Sequence, residues 1–198
     1  MNSKKIYILM GHPNTDPTLS SSVADAYEAA AKAAGHEVRR ADVGKLSFDP
    51  ILHKGYRAIQ ELEPDLKKAQ EDITWANHLV LIYPLWWSSV PALLKGFIDR
   101  MWLPRFAFSF IKTPGGKSTM GWRKLLKGRT ARVIVLLKNY PLLEHFMYGN
   151  FTSDVVNVVL RFSGFSVKVT EIGNSEALSD GAKASLMKRI ASLGRAAR

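Results

Sequence analysis

The stretch Leu79–Met101, LVLIYPLWWSSVPALLKGFIDRM, constrains the fold more than any other part of the chain. Leu79–Tyr83 is an unbroken apolar run, short enough for a strand buried on both faces. Pro84 has no N–H to donate, so it ends the ladder. Pro91 stands where the first turn of a helix tolerates proline. Leu93, Leu94, Phe97, Ile98 and Met101 then recur at helical spacing and would pack that helix back onto the sheet. The loop Pro84–Val90 therefore lies at the carboxyl end of a buried strand, where open α/β sheets bind ligands. Trp86 and Trp87 are placed there to cover a flat aromatic ligand; core or interface packing is the competing use of such residues.

The rest of the chain repeats this alternation. Ile6–Met10, closed by Gly11, reads as the first, central strand. Leu19, Val23, Ala26, Tyr27 and Ala30 recur at helical spacing, with Gly35 as the stop. Glu37–Val43 reads as a second strand and Leu66–Ala76 as a helix. Arg132–Leu137 is a fourth buried strand, followed by a loop over 138–150. Ser153–Phe162 reads as an amphipathic helix ended by Gly164, Ser166–Ile172 as a fifth strand, and Gly181–Leu193 as the closing helix. Trp102–Arg132 is less regular. Phe106, Phe108 and Phe110 alternate as in an exposed strand or extended loop, and the GGKST at 115–119 reads as a turn, because Ile111 stands where a P-loop needs its first glycine. Five strands alternating with helices imply one domain over 1–198, an α/β three-layer sandwich with a five-stranded parallel sheet in the order 2-1-3-4-5.

Between the first strand and its helix, Thr18, Ser20, Ser21 and Ser22 crowd the expected helix start. Free backbone N–H groups and the positive dipole end make an anion site there, and hydroxyls add donors. Simple N-capping would need just one of the four. Their place directly after strand one favours a phosphate loop, with His12 inside it.

Composition removes several alternatives. The absence of cysteine rules out disulfides, a thiolate nucleophile and cysteine-ligated metals, and it suits a reducing, cytoplasmic setting. The five histidines show no metal-ligand spacing, so no metal is expected. No G-x-G-x-x-G follows strand one, and no G-x-S-x-G or H-E-x-x-H occurs. No apolar run approaches the length of a spanning helix, and the first is too short for a signal sequence. The net charge of +11 lies wholly in the second half: residues 101–198 carry 16 basic and 5 acidic side chains, and Lys112–Arg132 has seven basic and none acidic. Such a field suits phosphates, a peripheral membrane surface or an acidic protein partner. One aromatic, Trp122, among seven cations reads as a solvated face, so no nucleic acid is expected.

The segment YPLWWSSVPALLKGFIDR resembles the signature of the NAD(P)H:quinone oxidoreductases with a flavodoxin-like fold, roughly Tyr/Phe-Pro-Leu-x-Trp, three free positions, then Pro-Ala-x-Leu-Lys-Gly. The match runs through nine fixed positions in order. By this resemblance Pro84, Leu85 and Trp87 lie against a flavin ring, with Trp86 and Ser88 beside them. The family opens with a strand, Ala/Gly-His-Pro, a loop and Ser-Phe-Asn before the helix; His12 and Pro13 match, while Thr18, Leu19 and Ser20 take the last three places after one extra loop residue. Phe48–Pro50 matches the Phe-Asp-Pro that commonly follows strand two. After the fourth strand, the family's Thr-Thr-Gly-Gly is replaced by Lys138, Asn139 and Tyr140, which gives up backbone freedom and room for close approach. Tyr148 and His145, with Tyr140 as a further candidate, take the place of the Tyr and His that assist quinone reduction.

The resemblance thus implies FMN or FAD as cofactor, NAD(P)H as hydride donor, a quinone or similar acceptor, and a homodimer formed beside the helix Pro91–Met101. Phe97, Ile98, Met101 and Trp102 make that helix apolar on more sides than one sheet contact needs. If Lys112, Lys117, Arg123 and Lys124, after the aromatic segment, face the cavity, they would favour NADPH over NADH; the competing reading has them face solvent, a membrane surface or an acidic partner. Relatives of the family also serve as ancillary proteins of bacterial potassium-efflux systems, so the alternative is a flavin-binding regulatory subunit docking an acidic partner.

Overall fold

The computed structural model describes residues 3–198, the side chain of Ser118 excepted. In chain order the elements are β1 (Lys5–Met10), α1 (Leu19–Ala33), β2 (Glu37–Asp42), α2 (Pro64–Trp75), β3 (His78–Pro84), α3 (Ala92–Met101), β4 (Phe108–Lys112), β5 (Ser118–Lys124), β6 (Thr130–Leu136), α4 (Pro141–Tyr148), a π-helical segment Asp154–Arg161, β7 (Ser166–Ile172) and α5 (Asp180–Ala196). Five strands form a parallel sheet in the order β2-β1-β3-β6-β7. Counted within that sheet alone this is the expected order 2-1-3-4-5. The middle strand is β3 rather than β1, because β6 and β7 both add on its far side.

Alternation sorts side chains to two cores. Ile6, Ile8 and Met10 join Val80, Ile82, Ile134 and Leu136 under α1 and α5, while Tyr7, Leu9, Leu79, Leu81 and Val133 face α2, α3 and the π-helical segment. Covering both faces is what permits the continuous apolar runs of β3 and β6. Each fully buried aliphatic or aromatic side chain contributes about 1.5–3 kcal/mol relative to exposure. No helix among the described residues is long and apolar enough to cross a membrane.

Three stretches differ from the sequence expectation. Residues 108–124 form an antiparallel hairpin outside the main sheet, β4 with β5, and its turn is the glycine pair: Thr113 N–H donates to the Lys117 carbonyl and Gly116 sits at φ +80°. Phe108 and Trp122 anchor it on Phe162, with centroids 5.0 and 4.4 Å away. The indole of Trp122 is thus occupied by packing. The expected loop after β6 contains a helix, α4, started by Pro141 and broken by Gly149 at φ +69°. The expected amphipathic helix at 153–162 is present, but it is π-wound over Asp154–Arg161.

The apolar sides of α3 are also accounted for within the chain. Phe97 and Met101 are fully buried, Ile98 nearly so, and Phe97 meets Phe48 edge to face at 5.9 Å. Trp102 contacts Phe106 and Phe165 and donates its indole N–H to Ser163 Oγ at 2.7 Å. These residues are therefore core, not a surface offered to a partner. Beside the tryptophans of the loop after β3, the exposed apolar side chains near the sheet's carboxyl edge belong to α4: Leu142, Phe146, Met147 and Tyr148.

Candidate functional site

Three loops emerge from the carboxyl edge of the sheet, after β1, β3 and β6, and parallel neighbours bring them side by side. The first is held down by close backbone approaches. Gly11 N–H donates to the Ile82 carbonyl at 2.7 Å, and a Cβ on Gly44 would lie 2.2 Å from the Pro13 carbonyl oxygen. Within the loop, His12 Nδ1 accepts from the Asn14 N–H at 3.0 Å, so the neutral ring carries its proton on Nε2. Burial holds the His12 pKa below the ordinary histidine value, which favours that neutral form.

At the start of α1 the hydroxyls divide their work. Thr18 is the N-cap: its Oγ1 accepts from the Ser21 N–H, and Ser21 Oγ accepts from the Thr18 N–H at 2.8 Å. Ser21 and Ser22 also donate to the Thr18 carbonyl. Ser20 remains, 2% exposed and with no side-chain hydrogen bond among the described residues. The N–H groups of Leu19 and Ser20 likewise find no acceptor among the described residues. Thr18 thus serves the helix, and Leu19 and Ser20 supply the free donors.

The second loop is a miniature hairpin. Trp86 and Ser89 exchange backbone hydrogen bonds of 3.0 Å in both directions, and the two residues between them, Trp87 and Ser88, have φ of +51° and +57°. Positive φ at both central positions is the type I′ arrangement, which normally recruits Asn and Gly. Here a tryptophan and a serine occupy it, and such strain persists only where the surroundings hold it. The side chain of Trp87 is 100% exposed and packs on nothing. Trp86 is also exposed, but its ring meets that of His12 edge to face with centroids 5.5 Å apart. Pro84 ends β3 opposite Leu136, and Leu85 N–H donates to the Leu136 carbonyl, which fixes the root of the hairpin.

In the third loop two side chains are committed and the backbone N–H groups are not. Lys138 pairs with Glu176 at 3.3 Å, and Asn139 Nδ2 donates to the buried Glu144 carboxylate at 2.7 Å. Tyr140 is exposed. The N–H groups of Lys138, Asn139 and Tyr140 make no hydrogen bond among the described residues. Farther along α4, His145 is held between two acceptors, the Glu171 carboxylate at 2.9 Å and the Gly149 carbonyl at 3.1 Å, and stacks on Phe151. Tyr148 is half exposed, with no hydrogen bond to its hydroxyl among the described residues.

The fit of a flavin to this edge rests on unspent donors and an unspent ring. Free N–H groups at the start of α1 suit a phosphate, those of Trp87, Ser88 and Lys138–Tyr140 suit the polar rim of a heteroaromatic, and Trp87 offers a bare indole face. No group of His, Asp or Glu among the described residues could hold a metal ion. The sequence pointed to all three loops; it did not reveal the paired positive φ angles of Trp87 and Ser88, which carry no glycine signal.

A family model for the flavodoxin-like fold, Flavodoxin_2, matches residues 4–192. An uncharacterized NAD(P)H oxidoreductase of Escherichia coli (strain K12) is 31% identical over 150 residues, spanning 63% of this chain and 73% of the relative. A second uncharacterized NAD(P)H oxidoreductase, of Haemophilus influenzae, is 25% identical over 190 residues, 93% of this chain and 91% of the relative. Among solved structures, an NAD(P)H:quinone oxidoreductase from Methanothermobacter marburgensis superposes with a TM-score of 0.77 at 25% identity, covering 98% of this chain and 96% of that one.

Proposed function

Because the chain belongs to the Flavodoxin_2 family, with its flavodoxin-like fold, we propose that it is a flavin-dependent NAD(P)H oxidoreductase acting on a quinone-type acceptor. Relatives named for NAD(P)H oxidation over most of the chain's length support the reaction class. The observation that carries the flavin is the strained Trp87–Ser88 turn, which displays a fully exposed indole beside two sets of unpaired backbone donors. When bound, the flavin supplies two-electron transfer between a nicotinamide and the acceptor.

The chain's own residues do the rest. Leu19 and Ser20 receive the ligand's phosphate through their N–H groups and the Ser20 hydroxyl, and the N-terminal dipole of α1 adds to the attraction. Pro84, Leu85 and Trp87 wall the ring and keep water from it, with Trp86 and His12 propping that wall. The backbone of Lys138–Tyr140 donates to the ring's polar edge. Tyr148 holds a proton at its hydroxyl for the reduced acceptor, while His145, tied to Glu171 and Gly149, positions the last turn of α4.

The test is turnover. Flavin-loaded protein should oxidise NAD(P)H with a quinone acceptor, and the rate should follow flavin occupancy. Absence of turnover at full flavin occupancy, with a range of quinones, would defeat the catalytic reading while leaving flavin binding in place.

A further inference from the structure

The amino edge of the sheet, opposite the site just described, gathers positive charge without a carboxylate side chain to balance it. Arg132 on β6 is 8% exposed and lies on the α5 side of the sheet with Ile134 and Leu136. One of its nitrogens donates to Thr170 Oγ1 at 3.0 Å, and its Nε has no partner among the described residues. Its neighbour in the β6–β7 register is Lys168, so two cations sit at directly paired positions of adjacent strands. Like charges so placed repel, and a buried guanidinium without a counter-charge is expensive.

The surroundings add to the imbalance. Beside burial, the larger cause, Arg189 and Arg198 push the Arg132 pKa down, and only the Tyr27 hydroxyl acts the other way. None of Lys4, Arg132, Lys168, Arg189 and Arg198 forms an ion pair among the described residues. A cavity of about 90 Å³ opens in this corner, lined by Lys4, His78, Thr130, Ser166, Lys168 and Arg198; Arg132 does not line it but is the register partner of Lys168, which does. Its small size and polar lining suit a single small oxyanion. Lining hydroxyls and ammonium groups supply donors and no carboxylate side chain competes for them.

We propose that this corner binds a phosphate-class oxyanion, which provides the counter-charge that Arg132 and Lys168 lack within the chain. The site is separate from the ligand edge, and its occupancy would tie β6, β7 and the end of α5 together.

Thermal unfolding of the full chain in sodium phosphate and in sodium chloride at matched ionic strength tests this. At ten times its dissociation constant, inorganic phosphate should raise Tm by about 3–6 °C over chloride. Lys168→Met, a surface change, should abolish that increment, and so should Arg132→Met. In chloride Arg132→Met should unfold no lower than the parent, since it removes an uncompensated buried charge. Equal Tm in the two salts overturns the proposal, as does a phosphate increment that survives both substitutions, which would locate the anion elsewhere, as at the start of α1. Adenosine monophosphate separates two sources: the same Lys168-dependent increment identifies the phosphate end of a larger ligand, and none identifies the free ion. Either result keeps the corner as an oxyanion site.

Discussion

The rings of His12 and Trp86 meet edge to face with centroids 5.5 Å apart, and this contact ties the loop after β1 to the hairpin after β3. His12 is neutral in its setting, so the pair is an aromatic contact and not a cation on a ring. One tryptophan of the adjacent pair is thereby a prop, and the other is left free at the tip.

Exchanging each tryptophan for alanine should separate those roles. Trp87→Ala should weaken flavin binding by about 1–3 kcal/mol, the range for losing a stacked aromatic. It should leave Tm nearly unchanged, because the side chain is fully exposed. Trp86→Ala should lower both, losing about 0.5–1.5 kcal/mol of ring contact. Flavin titration and thermal unfolding of the two variants check the pattern.

Ser88→Gly should stabilise the protein. Ser88 holds φ +57°, where a side chain costs about 1–2 kcal/mol and glycine does not. The expected gain is about 1 kcal/mol, after allowing for glycine's freedom in the unfolded chain, and denaturant unfolding measures it.

Arg100→Met should be costly. The guanidinium is wholly buried on α3, where it pairs with Glu63 at 2.9 Å and donates to the carbonyls of Asp49 and Glu61. Those bonds hold the 46–63 segment across α3, and Gly96 lets Pro50 approach the helix there. Losing them leaves buried acceptors unpaired, for a loss of about 2–4 kcal/mol in denaturant unfolding.

Acid should weaken the fold before the carboxylates titrate. Burial, with Lys4, Arg132 and His36 adding repulsion, pushes the His78 pKa down to about 3; its ring nitrogens bond Tyr27 and Thr130. The unfolded chain protonates this histidine near pH 6.5 and the folded chain does not, so stability is lost as pH falls below about 6.5. Between pH 6.5 and 5 the loss from this one group is about 1.5 kcal/mol. His78→Gln should flatten that slope, read from unfolding midpoints across the interval.

Legibility in the sequence followed the source of each element's stability. β1, β3 and β6 announce themselves as apolar runs because each is buried by the layers over it, and Gly35 and Gly164 mark stops by their conformation. β5 does not, since Ser118–Lys124 carries no apolar alternation and depends on a distant side chain, Phe162. α4 escaped because its pattern is inverted: Glu144 is buried on Asn139 while Leu142 and Phe146 face outward, so no apolar stripe faces the core. The excess of apolar residues on α3 pointed to a partner, but Phe48 and Phe165, remote in sequence, absorb it. At the candidate site the loops were legible from position and motif. Which donors remain free was not, because that depends on what Thr18, Ser21 and Asn139 bond to.

Titration of the metal-free full chain with flavin mononucleotide, followed by fluorescence quenching and by the visible absorption of the recovered protein, tests the central claim most directly. One flavin per chain should be taken up saturably, giving a yellow protein whose colour is bleached by NAD(P)H and restored by a quinone. A chain that stays colourless and leaves the fluorescence of both flavin mononucleotide and flavin adenine dinucleotide unquenched would contradict it.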